Sequence, residues 1–365
     1  MATRLLLGGT DLSVVGRTRI YVCGVTPYDV THLGHAATYV WVDAVDRVLR
    51  RLGSQVEVCR NVTDVDDVLF AAAERAGSQP YEQFAAVQQF HFEQDMDRLA
   101  VRKPTHEPRA HVFIPQVIAL AQTLLDRGKA YEAGGSVYLP AAPVVEGMDR
   151  GEAERLLKEY GGHLDDPAKR DPFDQAVWQV SGEGEPAWES PWGPGRPGWH
   201  AECTAMSLAT YGSSMDLHAG GADLRFPHHA FEAAQAEAAT GVRPFARAWM
   251  HVGLVQLEGQ KMAKSVGNLV FAKDLIAQSS PGAVRTMLLD RRYDAPWDYT
   301  SETLEAAGRR NDDLYAAAGR AGSDEAAWQQ VLAALAADLD VPSALDLAIE
   351  AGGQVARDLT TLLAL

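Results

Sequence analysis

The sequence predicts an α/β fold, a parallel sheet with insertions followed by a C-terminal helical region. Three observations carry this expectation. Thr18 to Gly24, His35 to Leu52 and Gln55 to Asn61 read in turn as strand, amphipathic helix and strand, the length of one βαβ unit of a parallel sheet. Ser214 to His218 and Ala248 to Leu254 read as two further buried strands. After Ser301 strand signals fade into Ala-, Leu- and Asp-rich sequence. The 365 residues suffice for two domains and one large core. The expected division is a sheet-bearing body over 1–250 with an insertion at about 101–198, a connecting region over 251–300, and a helical bundle over 301–365.

The elements follow in order. The first strand ends at a turn containing Pro27, and Gly53 stops the helix after it. Asp64 to Ala76 and Tyr81 to Leu99 are helical patterns separated by Gly77-Ser78-Gln79-Pro80. Ile114 to Arg127 is another, ended by Gly128. Tyr131 to Leu139 reads as a hairpin with Gly134-Gly135 at its turn. Residues 140–198, rich in Pro, Gly and Trp, read as an irregular insertion packed over a site. Ala230 to Thr240 has helical composition. Residues 301–365 read as two or three helices broken near Gly319–Ser323 and at Pro342.

Composition narrows the function classes. Hydrophobic residues make up 47%, as in soluble globular proteins, and no apolar run approaches the roughly 18 residues of a membrane span. Met1 to Gly9 is too short and weakly patterned for a signal peptide. Three cysteines argue against a disulfide framework and for a reducing cytoplasm. The net charge of −16 disfavours broad, salt-driven binding of nucleic acid. Residues 301–365 alone carry four Arg and no Lys against eleven Asp and Glu.

Chemistry concentrates between Gly198 and Glu232. His228 and Glu232, four residues apart, share one face if Ala230 to Thr240 is helical. Cys203 lies 25 residues before His228, and Cys23 lies near the N-terminus. Two thiolates and an imidazole are a donor set that zinc prefers, but the spacing is too wide for a zinc finger. Two buried cysteines and a satisfied histidine fit the spacing equally well.

His32-Leu33-Gly34-His35 follows the first strand, and Lys261-Met262-Ala263-Lys264-Ser265 lies 229 residues after His32. In this order the pair resembles the two nucleotide signatures of class I aminoacyl-tRNA synthetases. Tyr21-Val22-Cys23-Gly24, Asn61 to Asp67, Lys169-Arg170-Asp171-Pro172, Gly195 to Cys203 and Phe226-Pro227-His228-His229 sharpen the match to the cysteinyl-tRNA synthetase group. The resemblance runs from about Arg17 to Leu365 and implies a Rossmann-like (HUP) sheet. The group has two branches, the tRNA synthetase and a mycothiol-pathway ligase that joins cysteine to the amine of glucosaminyl-inositol. Cys23 to Asp29, Ala37 in Thr31-His32-Leu33-Gly34-His35-Ala36-Ala37, and Val68 after Asp66-Asp67 look like the ligase. The chain also stops soon after the helical segment, where a synthetase continues into an anticodon-reading region. A synthetase lacking that region, a ligase for another amine, and a silent sensor paralogue are the rival expectations.

The resemblance implies Zn2+ held by Cys23, Cys203 and His228, with Glu232 as a fourth ligand or as the carboxylate that orients His228. Substrate cysteine would fill an open position, so that zinc reads sulfur where a hydrophobic pocket separates near-isosteres by only about a hundredfold. It implies catalytic roles at the ATP phosphates for His32, His35, Lys261 and Lys264. It marks Thr26, Thr38, Asn61, Thr63, Trp199, Gly221, Asp223, Val255 and Ser265 as substrate- or nucleotide-binding, with Asp223 on the α-ammonium. Expected partners are L-cysteine, ATP with Mg2+ and an amino-sugar acceptor, with no membrane and no nucleic acid. The chain departs from the pattern at Ala263, at Ala230, at Ala219-Gly220-Gly221 and over Gly161 to Pro167. His163 and Asp165, in that last segment, are candidates for touching the acceptor.

Overall fold

A computed structural model describes residues 3–28, 31–77, 80–262 and 267–365. Its centre is a four-stranded sheet of β1 (Arg17–Val25), β2 (Gln55–Val62), β3 (Met215–Gly221) and β4 (Ala246–Val252), in the order β4-β3-β1-β2. All pairings are parallel, with Tyr21 opposite Cys59, Ile20 opposite Leu217 and Met250 opposite Ala219. The helix α1 (Leu33–Arg51) joins β1 to β2 as expected. Strand order reverses between β1 and β3, and ligands bind beyond the carboxyl ends of strands at such a switch point.

Side chains along β1 alternate between two cores. Ile20 and Val22 face the cluster made with α1 and the C-terminal helices. Tyr21 and Cys23 face a second cluster, made with α2 (Trp199–Tyr211), α3 (Ala230–Thr240) and the helix Ile114–Asp126. The β1–β2 register slips between Val22 and Val25. Glycine is required there, because a Cβ on Gly24 would stand 1.5 Å from the Asn61 carbonyl oxygen. The slip turns Cys23 out of the regular ladder.

The insertion is more regular than expected. Tyr131–Ala133 and Ser136–Leu139 form the predicted hairpin, with Gly134 and Gly135 both at positive φ. Gln175–Val180 and Gly195–Pro197 then extend it to a four-stranded antiparallel sheet. Arg150–Glu159 is a helix, N-capped by Asp149. These elements bury few residues each, which left no periodicity to read. The N-terminus, read only for a leader, is a hairpin of Thr3–Leu7 and Thr10–Val14 that buries Leu5, Leu7 and Leu12.

The C-terminal region has four helices where two or three were expected. After α4 (Pro281–Leu289) come α5 (Ser301–Ala318), α6 (Glu325–Ala336), α7 (Val341–Ala351) and α8 (Gly353–Leu363). Pro342 lies in the first turn of α7, where a missing N–H costs nothing, and the expected break falls just before it, at 337–340. The unforeseen break is Gly352-Gly353, both at positive φ. Buried Arg285 of α4 binds Asp43 of α1 at 2.7 Å and the carbonyls of Leu99 and Leu363, locking these helices to the sheet. Among the described residues no helix is long and apolar enough to cross a membrane.

Candidate active site

Cys23, Cys203, His228 and Glu232 converge behind the carboxyl end of β1. Their donor atoms lie within 4.8 Å of one another, and all four side chains are buried. Each comes from a separate support: the slip in β1, α2, the turn Arg225–His229, and the first turn of α3. The expected i, i+4 geometry is present, with His228 Nε2 2.8 Å from Glu232 Oε1. Cys23 Sγ lies 3.2 Å from the same oxygen. Glu232 Oε2 turns to His218 Nε2 at 2.9 Å, and His200 Nδ1 meets His228 Nδ1 at 2.9 Å.

The surroundings set the charges of this group. Burial pushes the Cys23 thiol well up. A hydrogen bond from Cys23 brings Cys203 down to about 6, against burial. Burial would lower His228, but Glu232 and Cys203 raise it to about 10. Burial would raise Glu232, but His228 and His218 hold it well below the usual carboxylate range. A buried set of two sulfurs, an imidazole and an ionised carboxylate fits a borderline-soft divalent ion such as zinc. A second group, Cys23, His218, His229 and Glu232, is equally compact but offers one sulfur. Sequence reading missed His200, His218 and His229; a histidine inside the buried strand β3 was the one signal for them.

The other predicted residues ring the switch point. His32 N-caps α1, its Nδ1 accepting from Gly34 N at 3.1 Å, which leaves the proton on Nε2. His35 stacks on His32 with centroids 3.8 Å apart, and burial pushes it down to about 4. Thr26 and Thr63 share a 2.9 Å hydroxyl–hydroxyl bond across β1 and β2. Thr38 donates back to Gly34 O at 3.3 Å. Gly221 ends β3 against Asp223, whose Oδ1 would lie 2.5 Å from a Cβ there. Val255 is buried in a short strand that pairs with Gln260–Lys261 and Trp297–Asp298. Asn61, expected at the substrate, already has two partners. Its amide is buried, accepting from Gly24 N at 2.8 Å and donating to Cys203 Sγ at 3.3 Å, so it supports the sulfur site from behind. Trp199 stacks on His228 at 4.2 Å. Lys261 Nζ reaches Asp223 Oδ2 at 3.1 Å and Tyr160 OH at 2.8 Å. Ala263, Lys264 and Ser265 lie outside the described residues.

A cavity of about 810 Å³ runs from Thr26 and Trp199 to the insertion. Its lining includes the acidic side chains of Asp66, Asp67, Glu159, Asp166 and Glu185 against the cations Lys169 and Arg196, and also Glu202, which burial holds well above the usual carboxylate range and so protonated. Arg196 is already committed to Asp67 at 3.0 Å and Glu185 at 2.6 Å. His163 lines this cavity and, with Asp165, a neighbouring one of about 520 Å³. The excess of acidic over basic side chains there disfavours a phosphodiester.

Residues 11–309, which contain every site residue above, match the family described as tRNA synthetases class I (C) catalytic domain. Three relatives share one name, L-cysteine:1D-myo-inositol 2-amino-2-deoxy-alpha-D-glucopyranoside ligase. That of Thermomonospora curvata is 44% identical, over 90% of this chain and 81% of the relative. Those of Corynebacterium aurimucosum (42%; 92% and 84%) and Streptomyces griseus (44%; 90% and 82%) are similar. The chain belongs to this ligase family. Its fold is shared more widely within class I. Mycobacterium tuberculosis methionyl-tRNA synthetase aligns with a TM-score of 0.65 at 17% identity, over 96% of this chain and 82% of that one. The Agrobacterium radiobacter LeuRS aligns at 0.62 and 12%, over 97% and 84%. In this chain the sheet, the switch point and the Cys–Cys–His–Glu group are thus set in a class I synthetase-like fold.

Proposed function

We propose that the protein activates L-cysteine with ATP and transfers the cysteinyl group to the amine of glucosaminyl-inositol, the amide-forming step of mycothiol biosynthesis. The cysteine carboxylate attacks the α-phosphorus of Mg2+-bound ATP, the bond to pyrophosphate breaks, and cysteinyl-adenylate forms. The acceptor amine then attacks the activated carbonyl; AMP leaves and the amine's proton passes to solvent. Catalysis of both steps is positioning and charge stabilisation, with no covalent enzyme intermediate.

The chain's own residues divide this work. Cys23, Cys203 and His228 would hold zinc, with Glu232 as fourth ligand or as the carboxylate orienting His228. Bound zinc would select substrate thiolate over hydroxyl. His32 presents an Nε2–H donor at the α1 N-terminus, next to where phosphates would lie. His35 is neutral near pH 7 and so acts as a hydrogen-bonding imidazole rather than a cation. Thr26 and Thr63 bind the adenylate, Thr38, Gly221 and Val255 shape its pocket, and Lys261, Lys264 and Ser265 serve the triphosphate. Trp199 walls the cysteine subsite and Asp223 receives the α-ammonium. Residues 1–250 then carry activation, 251–300 the nucleotide loop, and 301–365 the support.

The observation that carries the amine acceptor is the carboxylate-lined cavity beside Trp199, which attracts an ammonium sugar and repels an RNA end. The test is incubation with ATP, cysteine and glucosaminyl-inositol, followed by chromatography. Equal amounts of AMP and amide are expected. Cysteine-dependent pyrophosphate exchange without amide, or charging of tRNA with cysteine, would reject the acceptor.

A further inference from the structure

Lys261 is held by two parts of the molecule distant in sequence. Its ammonium meets Asp223 Oδ2 at 3.1 Å, beyond the end of β3. It also meets Tyr160 OH at 2.8 Å and Glu159 Oε1 at 3.5 Å, at the end of the insertion helix. A primary ammonium has three donors; here one bonds the Tyr160 hydroxyl and two carboxylate oxygens lie within ion-pair reach. The Tyr160 ring adds a face 4.9 Å below the same nitrogen. Burial would lower Lys261, but Asp223 and Tyr160 hold its ammonium above the ordinary lysine range.

Tyr160 is itself well fixed. It C-caps Arg150–Glu159, its N–H donating to Leu156 O and Lys158 O. Its ring lies nearly parallel to Trp199, at 22° with centroids 6.4 Å apart, and Trp199 stacks in turn on His228. Tyr160 therefore stands between the acceptor cavity, which it lines, and the lysine that opens the nucleotide loop.

We propose that Tyr160 is a positioning residue that holds Lys261 over the amino-acid subsite, where the Lys261 ammonium occupies Asp223 until the substrate's α-ammonium displaces it. This rests on the reading above, in which Asp223 receives that group. The two ammonium groups are chemically alike and compete for one carboxylate oxygen. When cysteine takes Asp223, Lys261 keeps Tyr160 and Glu159 and stays close to the site, with one donor released for the triphosphate. Cysteine binding thus readies the lysine for ATP.

The test compares cysteine with 3-mercaptopropionate, which has the same thiol and carboxylate but no amine. Binding is followed by calorimetry without ATP, and activation by pyrophosphate exchange. Lys261→Met should bind cysteine about fivefold more tightly than wild type, the scale of one half-exposed ion pair, and 3-mercaptopropionate equally well. Tyr160→Phe keeps the ring and removes the hydroxyl. Its kcat for exchange should fall about tenfold, the scale of one hydrogen bond to a charge, while KM for cysteine stays level or falls. General damage to the site would raise KM instead. Cysteine binding by Lys261→Met that is unchanged or weaker overturns the proposal alone, as does undiminished kcat in Tyr160→Phe. Absence of cysteine-dependent exchange in the wild type removes the underlying reading, and the proposal with it.

Discussion

Metal binding at the Cys23–Cys203–His228–Glu232 group should displace about two protons near neutral pH. Without metal, Cys23 is a thiol, because burial holds it far above its ordinary value. Cys203 is a thiolate above about 6, and His228 is an imidazolium below about 10. Glu232 is ionised throughout this range. Ligation needs two thiolates and a neutral imidazole, so one proton leaves Cys23 and one leaves His228. The sign follows: apparent zinc affinity rises with pH, by about two decades per unit between about 6 and about 10. Below about 6 the Cys203 proton must also leave, and the slope steepens to about three. Stripped protein would be titrated with zinc by calorimetry in buffers of different ionisation enthalpy, which counts protons directly, and by chelator competition at several pH values. Release of less than one proton, or an affinity flat from pH 6.5 to 8.5, would refute this charge assignment and with it the ligand set.

Three substitutions test the framework of that group and of the fold. Asn61→Ala removes the donor to Cys203 and should weaken zinc binding about 10- to 100-fold in chelator competition, as loss of a metal site's supporting partner does. It also orphans Gly24 N–H, for about 1–3 kcal/mol of stability by chemical unfolding. Gly24→Ala puts a methyl group inside the Asn61 carbonyl and should abolish soluble expression; a folded, zinc-binding variant would contradict the close approach of β1 and β2. Arg285→Met leaves the Leu99 and Leu363 carbonyls without their side-chain donor, while Asp43 keeps Arg47 and the Arg102 N–H, and should cost about 1–3 kcal/mol in a thermal or denaturant melt while leaving pyrophosphate exchange by the folded fraction intact.

What could be read from the chain follows the range of the forces involved. The β1–α1–β2 unit and the Gly134-Gly135 hairpin were legible because their signals are local: periodic apolar residues, a stop glycine, a paired-glycine turn. His228 and Glu232 were legible for the same reason, since four residues of helix bring them together. Cys23 was not visible by spacing. It faces the group through the alternation along β1, and only tertiary packing brings α2, the Arg225–His229 turn and α3 to that face. His218 lies more than half the chain's length from Cys23 yet shares Glu232 with it. The Lys261–Tyr160 contact spans 101 residues and joins an insertion to a loop, so neither stretch announces it. The helix Arg150–Glu159 was missed because a short helix with a narrow apolar face looks like a polar loop, and the fourth C-terminal helix because Gly352-Gly353 breaks a stretch whose composition is helical throughout.

Under the proposed reading, discrimination between cysteine and serine must be made before ATP is spent, because the adenylate of either would meet the same amine. A shape-selective pocket gives only about a hundredfold, so the sulfur contact has to be ready when substrate arrives. The structure supplies that readiness through packing. Cys23 and Cys203 sit in a fully buried cluster, and Asn61, His200 and His218 fix the ligating side chains from behind. Precision of this kind needs rigid elements and satisfied partners. The charge for the triphosphate is mounted differently. Lys261 rides on a two-residue strand, half exposed, held by polar contacts that a substrate ammonium can replace. On this reading sulfur would be read by a site that is fixed in advance, and the phosphate-side lysine would be released by the same substrate's amine. A molecule with a thiol but no amine would pass the first check and fail the second, and serine would fail the first.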